Sequence, residues 1–232
     1  MRSLEYGNDI YVCYVDFENA LDRVRWDKMM QVLKELKVDW KNRRMIKDLY
    51  MRQEAVARLE CGDTEPGVIG RGVRQGCPLS PLLFSICAES MMRDAIDNID
   101  EGVLIGGRML KDVRFADYQA MVSNSSEGLQ RLMDGLDRAA DEYSMRININ
   151  KTKTMVISKT EGKKVEIKVG QHQVEQVEQF KYLGSVITED GTCSKEIKCR
   201  IAIAIQAITK NKNILYSIMS SVTLEFSSET IC

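Results

Sequence analysis

Histidine is nearly absent from this 232-residue chain, and its one instance, His172, stands in a polar stretch without evident partners. That argues against hydrolases built on a nucleophile and a histidine base. The seven cysteines (13, 61, 77, 87, 193, 199 and 232) include no Cys-x-x-Cys pair, so neither a disulfide framework nor a zinc site is supported. No apolar run approaches the length of a membrane span, about 18 residues, and no membrane partner is expected. The start, Met1 to Asp9, lacks the basic-then-apolar pattern of a secretion signal, so an intracellular protein, cytoplasmic or nuclear, is the expectation. A basic excess is missing too. Lys plus Arg is 33 against 34 for Asp plus Glu, a net charge of −1, which counts against a self-sufficient nucleic-acid binder. The charge is uneven, however: Arg146, Lys151, Lys153, Lys159, Lys163, Lys164 and Lys168 outnumber Glu161 and Glu166. That stretch reads equally as a basic face or as a solvated loop and strand edge.

What is present is ordinary for a globular protein, with 44% hydrophobic and 29% charged residues. Ile10–Val15 is short, aromatic and β-branched, as a buried strand is. Trp26, Met29, Met30, Leu33 and Leu36 have helical spacing. Asp39 is placed to cap a second helix, with Met45, Ile46, Leu49 and Tyr50 on its inner face. Ala55–Leu59 alternates like a strand, and Gly62–Gly76, with five glycines and one proline, reads as a hairpin or loop. Pro78 opens a long helix carrying Leu82, Leu83, Ile86, Met91 and Ile96. Residues 103–105, 112–115 and 119–122 read as strands, and Ser126 as the N-cap of a helix. Strands over 154–158, 165–169 and 180–187 and a last helix over 197–216 complete the chain. The resulting order is a split βαβ arrangement, α+β in class, an antiparallel sheet with helices on one face.

In such a sheet an acid ending the first strand, Asp16, and an acid in a central hairpin, Asp117, can meet at one edge. Two carboxylates meeting there can hold a divalent cation against a phosphate. Each alone has a plain reading, Asp16 as a turn cap and Asp117 as a hairpin-tip residue. Beside them stands the glycine-rich Arg71-Gly72-Val73-Arg74-Gln75-Gly76-Cys77-Pro78-Leu79-Ser80-Pro81, which alone would be an ordinary turn before a helix.

Taken in order, these segments resemble the reverse transcriptases of non-LTR (LINE-type) retrotransposons. Five motifs carry the resemblance over nearly the whole chain. Val15-Asp16-Phe17-Glu18-Asn19-Ala20-Leu21 resembles the first palm motif, and Phe115-Ala116-Asp117-Tyr118 the aromatic-Ala-Asp-Asp signature. The resemblance implies Asp16 and Asp117 as catalytic metal ligands for two Mg²⁺ ions, with Mn²⁺ an alternative. Tyr118 takes the place of the second acid, and a phenol supplies no carboxylate charge. Leu21 stands where the family carries an aromatic that excludes ribonucleotides. By the same resemblance Phe17, Leu21, Gln75 and Gly76 line the nucleotide pocket, and Arg74 contacts template or phosphate. Asn148-Ile149-Asn150-Lys151-Thr152 implies Lys151 as the catalytic lysine at the triphosphate, with Lys153 a surface charge. Phe180-Lys181-Tyr182-Leu183-Gly184 resembles the primer grip, making Tyr182, Leu183 and Gly184 primer or template contacts; its plain reading is an amphipathic strand.

The implied protein is a polymerase palm core over residues 1–190, with most of the fingers lacking, followed by a thumb-like helical segment over 191–232. The implied partners are an RNA template, a DNA primer and deoxynucleoside triphosphates. Activity is expected to be weak or lost because of Tyr118 and the short region before Asp16. A non-catalytic nucleic-acid-binding or interaction module with the same fold is the alternative. A nucleotide cyclase is disfavoured by the Arg74–Pro81 stretch.

Overall fold

Burial deepens along the first strand, β1 (Ile10–Val15), until its last four residues are all inside. The computed structural model describes residues 9–211 apart from positions 52, 61, 116, 117 and 161. After β1 come a single helical turn, α1 (Ala20–Arg23), and the helices α2 (Trp26–Glu35) and α3 (Trp40–Tyr50). Only Tyr50 is fully buried on α3, and Ile46 packs on the core. Met45 and Leu49, expected on its inner face, are 69% and 37% exposed. Asp39 occupies the cap position of α3 without a side-chain capping bond.

The expected strand over 55–59 is two short pieces. β2 (Glu54–Ala55) and β3 (Arg58–Leu59) pair with β5 (Gly67–Val68) and β4 (Gly62–Asp63) respectively. The long helix α4 (Ser80–Ile96) has Pro81, not Pro78, in its first turn, where a proline's missing N–H leaves no bond unmade. Leu82 is exposed, while Leu83, Phe84, Cys87, Met91 and Met92 face inward. A small hairpin follows, β6 (Val103–Ile105) with β7 (Arg108–Leu110), and then β8 (Asp112–Phe115) and β9 (Tyr118–Ser123). Helix α5 (Ser126–Glu142) is capped by Ser125, whose Oγ accepts from the Gly128 amide at 3.0 Å, one residue earlier than expected.

β10 (Lys153–Ile157) returns to the sheet. Residues 165, 167 and 169 are buried in alternation, as the pattern implied, yet only β11 (Lys168–Val169) pairs as a strand, with β12 (His172–Gln173). Amide side chains serve the rest: the Val165 amide donates to Gln176 Oε1 and the Lys168 amide to Gln130 Oε1, each at 2.8 Å. β13 (Glu175–Gln176) runs parallel to β10. β14 (Gln179–Tyr182) and β15 (Ser185–Thr188) form a separate hairpin, so the single strand expected over 180–187 is folded in two. Helix α6 (Ser194–Lys210) closes the described chain. The expected continuation of that helix to residue 216 lies outside the described residues.

The central sheet has the order β13-β10-β1-β9-β8, antiparallel except at β13. Its two faces follow the period of two along β1. Cys13 and Val15, with Met121 and Val156, pack against α4 and α5 in a large core that includes Leu129, Leu132, Met133 and Leu136. Val12 and Tyr14, with Ala120, Val122 and Met155, point the other way and meet Phe180, Tyr182 and Ile187 of the β14–β15 hairpin. Helices therefore cover one face and a hairpin the other. α4 and α5 approach closely at Gly135, where a Cβ would lie 2.4 Å from the Ala95 carbonyl oxygen.

Candidate active site at the end of the central sheet

Asp16 is the first residue past β1, and its backbone is clamped by the turn that precedes β10. Its amide donates to Thr152 Oγ1 at 3.3 Å, and its carbonyl accepts from the Asn148 amide at 2.8 Å. Phe17 then bridges to Ile147. The same turn brings Lys151 Nζ to 3.8 Å from Asp16 Oδ1, with the two side chains 69% and 34% exposed. An ion pair this open to water contributes less than about 1 kcal/mol, so the lysine is easily drawn to a more highly charged neighbour. Lys153, expected as a surface charge, instead lies 2.7 Å from Glu175 with its side chain only 19% exposed.

Sheet register carries the rest of the edge. β1 pairs with β9 from Tyr11↔Ser123 to Val15↔Gln119. One further step brings Asp16 level with Tyr118, and Tyr118 is opposite Phe115 across the β8–β9 pair. Asp117 is Tyr118's chain neighbour and lies outside the described residues. Magnesium takes oxygen ligands and completes its shell with water and substrate phosphate. Among the described residues no three of His, Cys, Asp or Glu gather into a metal cluster. A partly exposed carboxylate at a sheet edge fits a hard cation shared with a substrate, and does not fit an all-protein cage.

Tyr118 is 48% exposed, and its ring stands edge-on to that of Tyr182, centroids 6.5 Å apart. Tyr182 belongs to the covering hairpin. Its hydroxyl donates to the Val113 carbonyl at 3.1 Å and approaches the Tyr118 carbonyl at 3.5 Å. Burial holds the pKa of that hydroxyl above the usual phenol value, and the charge of Asp112 adds to the effect. Phe180 stacks on Tyr14 at 4.2 Å, two residues before Asp16. Leu183 and Gly184 form the two-residue turn with φ of +49° and +82°, the all-positive geometry that matches the twist of paired strands. Arg200 of α6 donates to the Gly184 carbonyl at 3.2 Å, and Glu196 accepts from the Val186 amide at 2.7 Å. Neither Tyr14 nor Asn148 and Thr152 stood out as site residues from sequence. Tyr14 left a signal in the strand alternation; the other two left only their place in the lysine motif.

The glycine-rich loop is fastened just downstream of Asp16. Gly72 donates to the Val24 carbonyl at 2.8 Å, Val73 donates to the Leu21 carbonyl at 2.9 Å, and the Trp26 indole donates to the Gly72 carbonyl at 2.8 Å. Gly72 has φ +91°, and a Cβ there would sit 3.0 Å from the Asp22 carbonyl oxygen, so this approach requires glycine. Arg74, Gln75 and Gly76 are exposed, as is Leu21 across the fastening. The Phe17 ring, in contrast, is 9% exposed and packs in the helix-side core. Next in the loop, hydrogen bonding from the Leu79 amide holds the pKa of the Cys77 thiol below the usual thiol value.

A family model described as reverse transcriptase (RNA-dependent DNA polymerase) matches residues 2–187. The chain belongs to the reverse transcriptase family. It is 29% identical over 213 residues to the Pol polyprotein of the type-1 retrotransposable element R2 of Nasonia vitripennis, covering 86% of this chain and 20% of that protein. It is also 24% identical over 130 residues to the RNA-directed DNA polymerase from the mobile element jockey of Drosophila melanogaster, covering 56% and 14%. The resemblance to non-LTR retrotransposon reverse transcriptases is thus borne out. This reverse transcriptase segment spans about a fifth of the length of the R2 protein. In fold it is similar to the apo telomerase of Candida tropicalis, with a TM-score of 0.54 at 14% identity over 82% of this chain and 35% of that one. The Candida albicans telomerase in complex with a telomeric RNA fragment gives 0.51 at 16% identity, over 80% and 31%.

Proposed function

We propose that residues 1–190 form a polymerase palm of split βαβ topology, that α6 begins a thumb-like segment over 191–232, and that the Asp16 edge is its nucleotidyl-transfer site. The observation that carries this reading is the juxtaposition across β10, β1 and β9 of Lys151, Asp16 and Tyr118, the chain neighbour of Asp117. Template-directed extension of a DNA primer on an RNA template, from deoxynucleoside triphosphates, is the reaction. Asp16 and Asp117 are the residues that would hold Mg²⁺, or Mn²⁺ in its place. Such cations supply charge neutralisation on the triphosphate and a more acidic primer 3′-hydroxyl.

The chain's own groups perform the positioning. Lys151 leaves its weak pairing with Asp16 to meet the incoming phosphates and to give a proton to the departing pyrophosphate. Gln75 and Gly76, exposed on a loop tied to Leu21, form one wall of the nucleotide pocket, and the small Leu21 side chain leaves room beside the sugar. Phe17 contributes its backbone, because its ring is committed to the core. Arg74 meets the template or a phosphate, and the exposed Leu183–Gly184 turn, with Tyr182 behind it, meets the primer end. Tyr118 removes one carboxylate from this set, so the transfer is weak.

Primer extension on an RNA template with Mg²⁺ tests the reading. Tyr118→Asp is expected to raise extension on the order of 10²-fold, the scale of one preorganised charge aimed at a transition state. Asp16→Asn is expected to abolish what remains. Robust extension by the unaltered chain would contradict the weak-activity reading, and background extension by Tyr118→Asp would contradict the site. A second reading, a non-catalytic nucleic-acid-binding or interaction module, is favoured by Tyr118 itself. Salt-dependent binding to RNA–DNA hybrid without synthesis by any of these variants would support it.

A further inference from the structure

Tyr182 carries contacts that a primer-facing residue has no need of. Its hydroxyl donates to the Val113 carbonyl at 3.1 Å and approaches the Tyr118 carbonyl at 3.5 Å. Its ring lies edge-on to Tyr118 at 6.5 Å and tilted over Tyr14 at 5.5 Å. These contacts reach both arms of the β8–β9 hairpin and the last turn of β1 before Asp16. On its own side Tyr182 is held just as firmly. It pairs with Ser185 across the Leu183–Gly184 turn, and the turn is tied to α6 through Arg200 and Glu196. β8, by contrast, is the last strand of the sheet and has no further strand on its outer edge among the described residues.

We infer that Tyr182 is a positioning residue: it fixes the described arms of the β8–β9 hairpin, Asp112–Phe115 and Tyr118–Ser123, against the covering hairpin and the end of β1. The inference rests on the proposed Asp16–Asp117 site for its functional meaning, but its physical content is separate. The Val113 carbonyl faces Ala120 within the β8–β9 ladder, so the phenol gives it a second donor and ties the ladder itself to the covering hairpin. That hairpin is in turn held to α6, which fixes the donor in space. α6 is thereby linked to the β8–β9 arms through the β14–β15 hairpin and Tyr182. Tyr118 strengthens the link by offering an aromatic edge, worth about 0.5–1.5 kcal/mol in such pairs.

Tyr182→Phe keeps both ring contacts and removes only the hydroxyl. Tyr182→Leu removes both. Amide hydrogen exchange followed residue by residue is the test, on the full chain. For Tyr182→Phe, exchange over the described residues 113–115 and 118–120 is expected to quicken about five- to tenfold, the effect of one lost hydrogen bond. Exchange over β10 should stay within about twofold, and Tyr182→Leu should quicken the hairpin further. Unchanged exchange over the hairpin, or an equal rise over β10, overturns the inference. Mn²⁺ binding followed by electron paramagnetic resonance separates the two levels of the argument. Weaker Mn²⁺ binding in Tyr182→Phe than in the unaltered chain is the expected result. If the unaltered chain binds no Mn²⁺ while the exchange pattern appears, the metal-site reading fails and the positioning role stands.

Discussion

A phenol at position 118 exchanges charge for packing, whereas Asp112, at the opposite end of β8, keeps a carboxyl in a buried setting. Asp112 opens β8 with its side chain one-tenth exposed, in contact with Arg114, which also reaches Glu89 at 2.6 Å. Burial holds its carboxyl above the usual carboxylate range; the Arg114 charge offsets part of that, and Glu89 adds to it. A carboxylate whose folded value is raised favours the folded state below its unfolded value and loses that contribution as pH climbs through the folded one. Asp112→Asn should therefore gain melting temperature relative to the unaltered chain on going from about pH 3.5 to about pH 6.5. A difference that stays flat over that window would refute the assignment. Cys77 offers a second residue-scale check. Its thiol is lowered by the Leu79 amide, whereas burial pushes Cys87 up to about 12. Alkylation by iodoacetamide at neutral pH should label Cys77 well before Cys87, read by peptide mass; Cys87 labelling first would contradict this.

The β14–β15 hairpin shows how an element can be stable overall and strained at one point. Leu183 adopts φ +49° at the first turn position, a conformation that costs an ordinary L-residue about 1–2 kcal/mol. Asparagine tolerates it, so Leu183→Asn is expected to stabilise the chain by about 1 kcal/mol, seen as a higher urea midpoint at unchanged slope. Destabilisation would mean that the leucine side chain has an apolar partner outweighing the strain. The tight turn was missed in the sequence because Gly184 stands alone between two short apolar stretches, Phe180–Leu183 and Val186–Ile187, which read together as one strand. Elements with long periods were plain: β1, α2, α4 and α5 stand within a residue or two of their expected places. α3 misled because it packs through Ile46 and Tyr50 alone, leaving Met45 and Leu49 outside. Residues 165–169 misled for a different reason. Their extended backbone is satisfied by the side chains of Gln130 and Gln176, which no periodicity records. At the site, Lys151 could be named from its motif, whereas the Thr152 hydroxyl that holds the Asp16 amide acts across 136 positions and leaves no pattern.

Across the whole molecule the central sheet separates two unequal cores. The helix side buries Leu129, Leu132, Met133 and Leu136 with no exposure at all. The hairpin side completes its smaller core with Phe180, Tyr182 and Ile187, each only half-buried. Apolar area removed from water sets the resistance of each layer to opening, at about 25 cal/mol per Å², so the hairpin layer opens first. Leu132→Ala should cost about 2–5 kcal/mol and quicken the exchange of β1, β9 and β10 together, since they share the lost core. Phe180→Ala removes the stack on Tyr14 and should quicken exchange in β14 and β15 while leaving α5 protected. Equal quickening of both layers in both variants would mean that the sheet does not divide the molecule in this way. Then opening of the hairpin side would require unfolding of the whole chain.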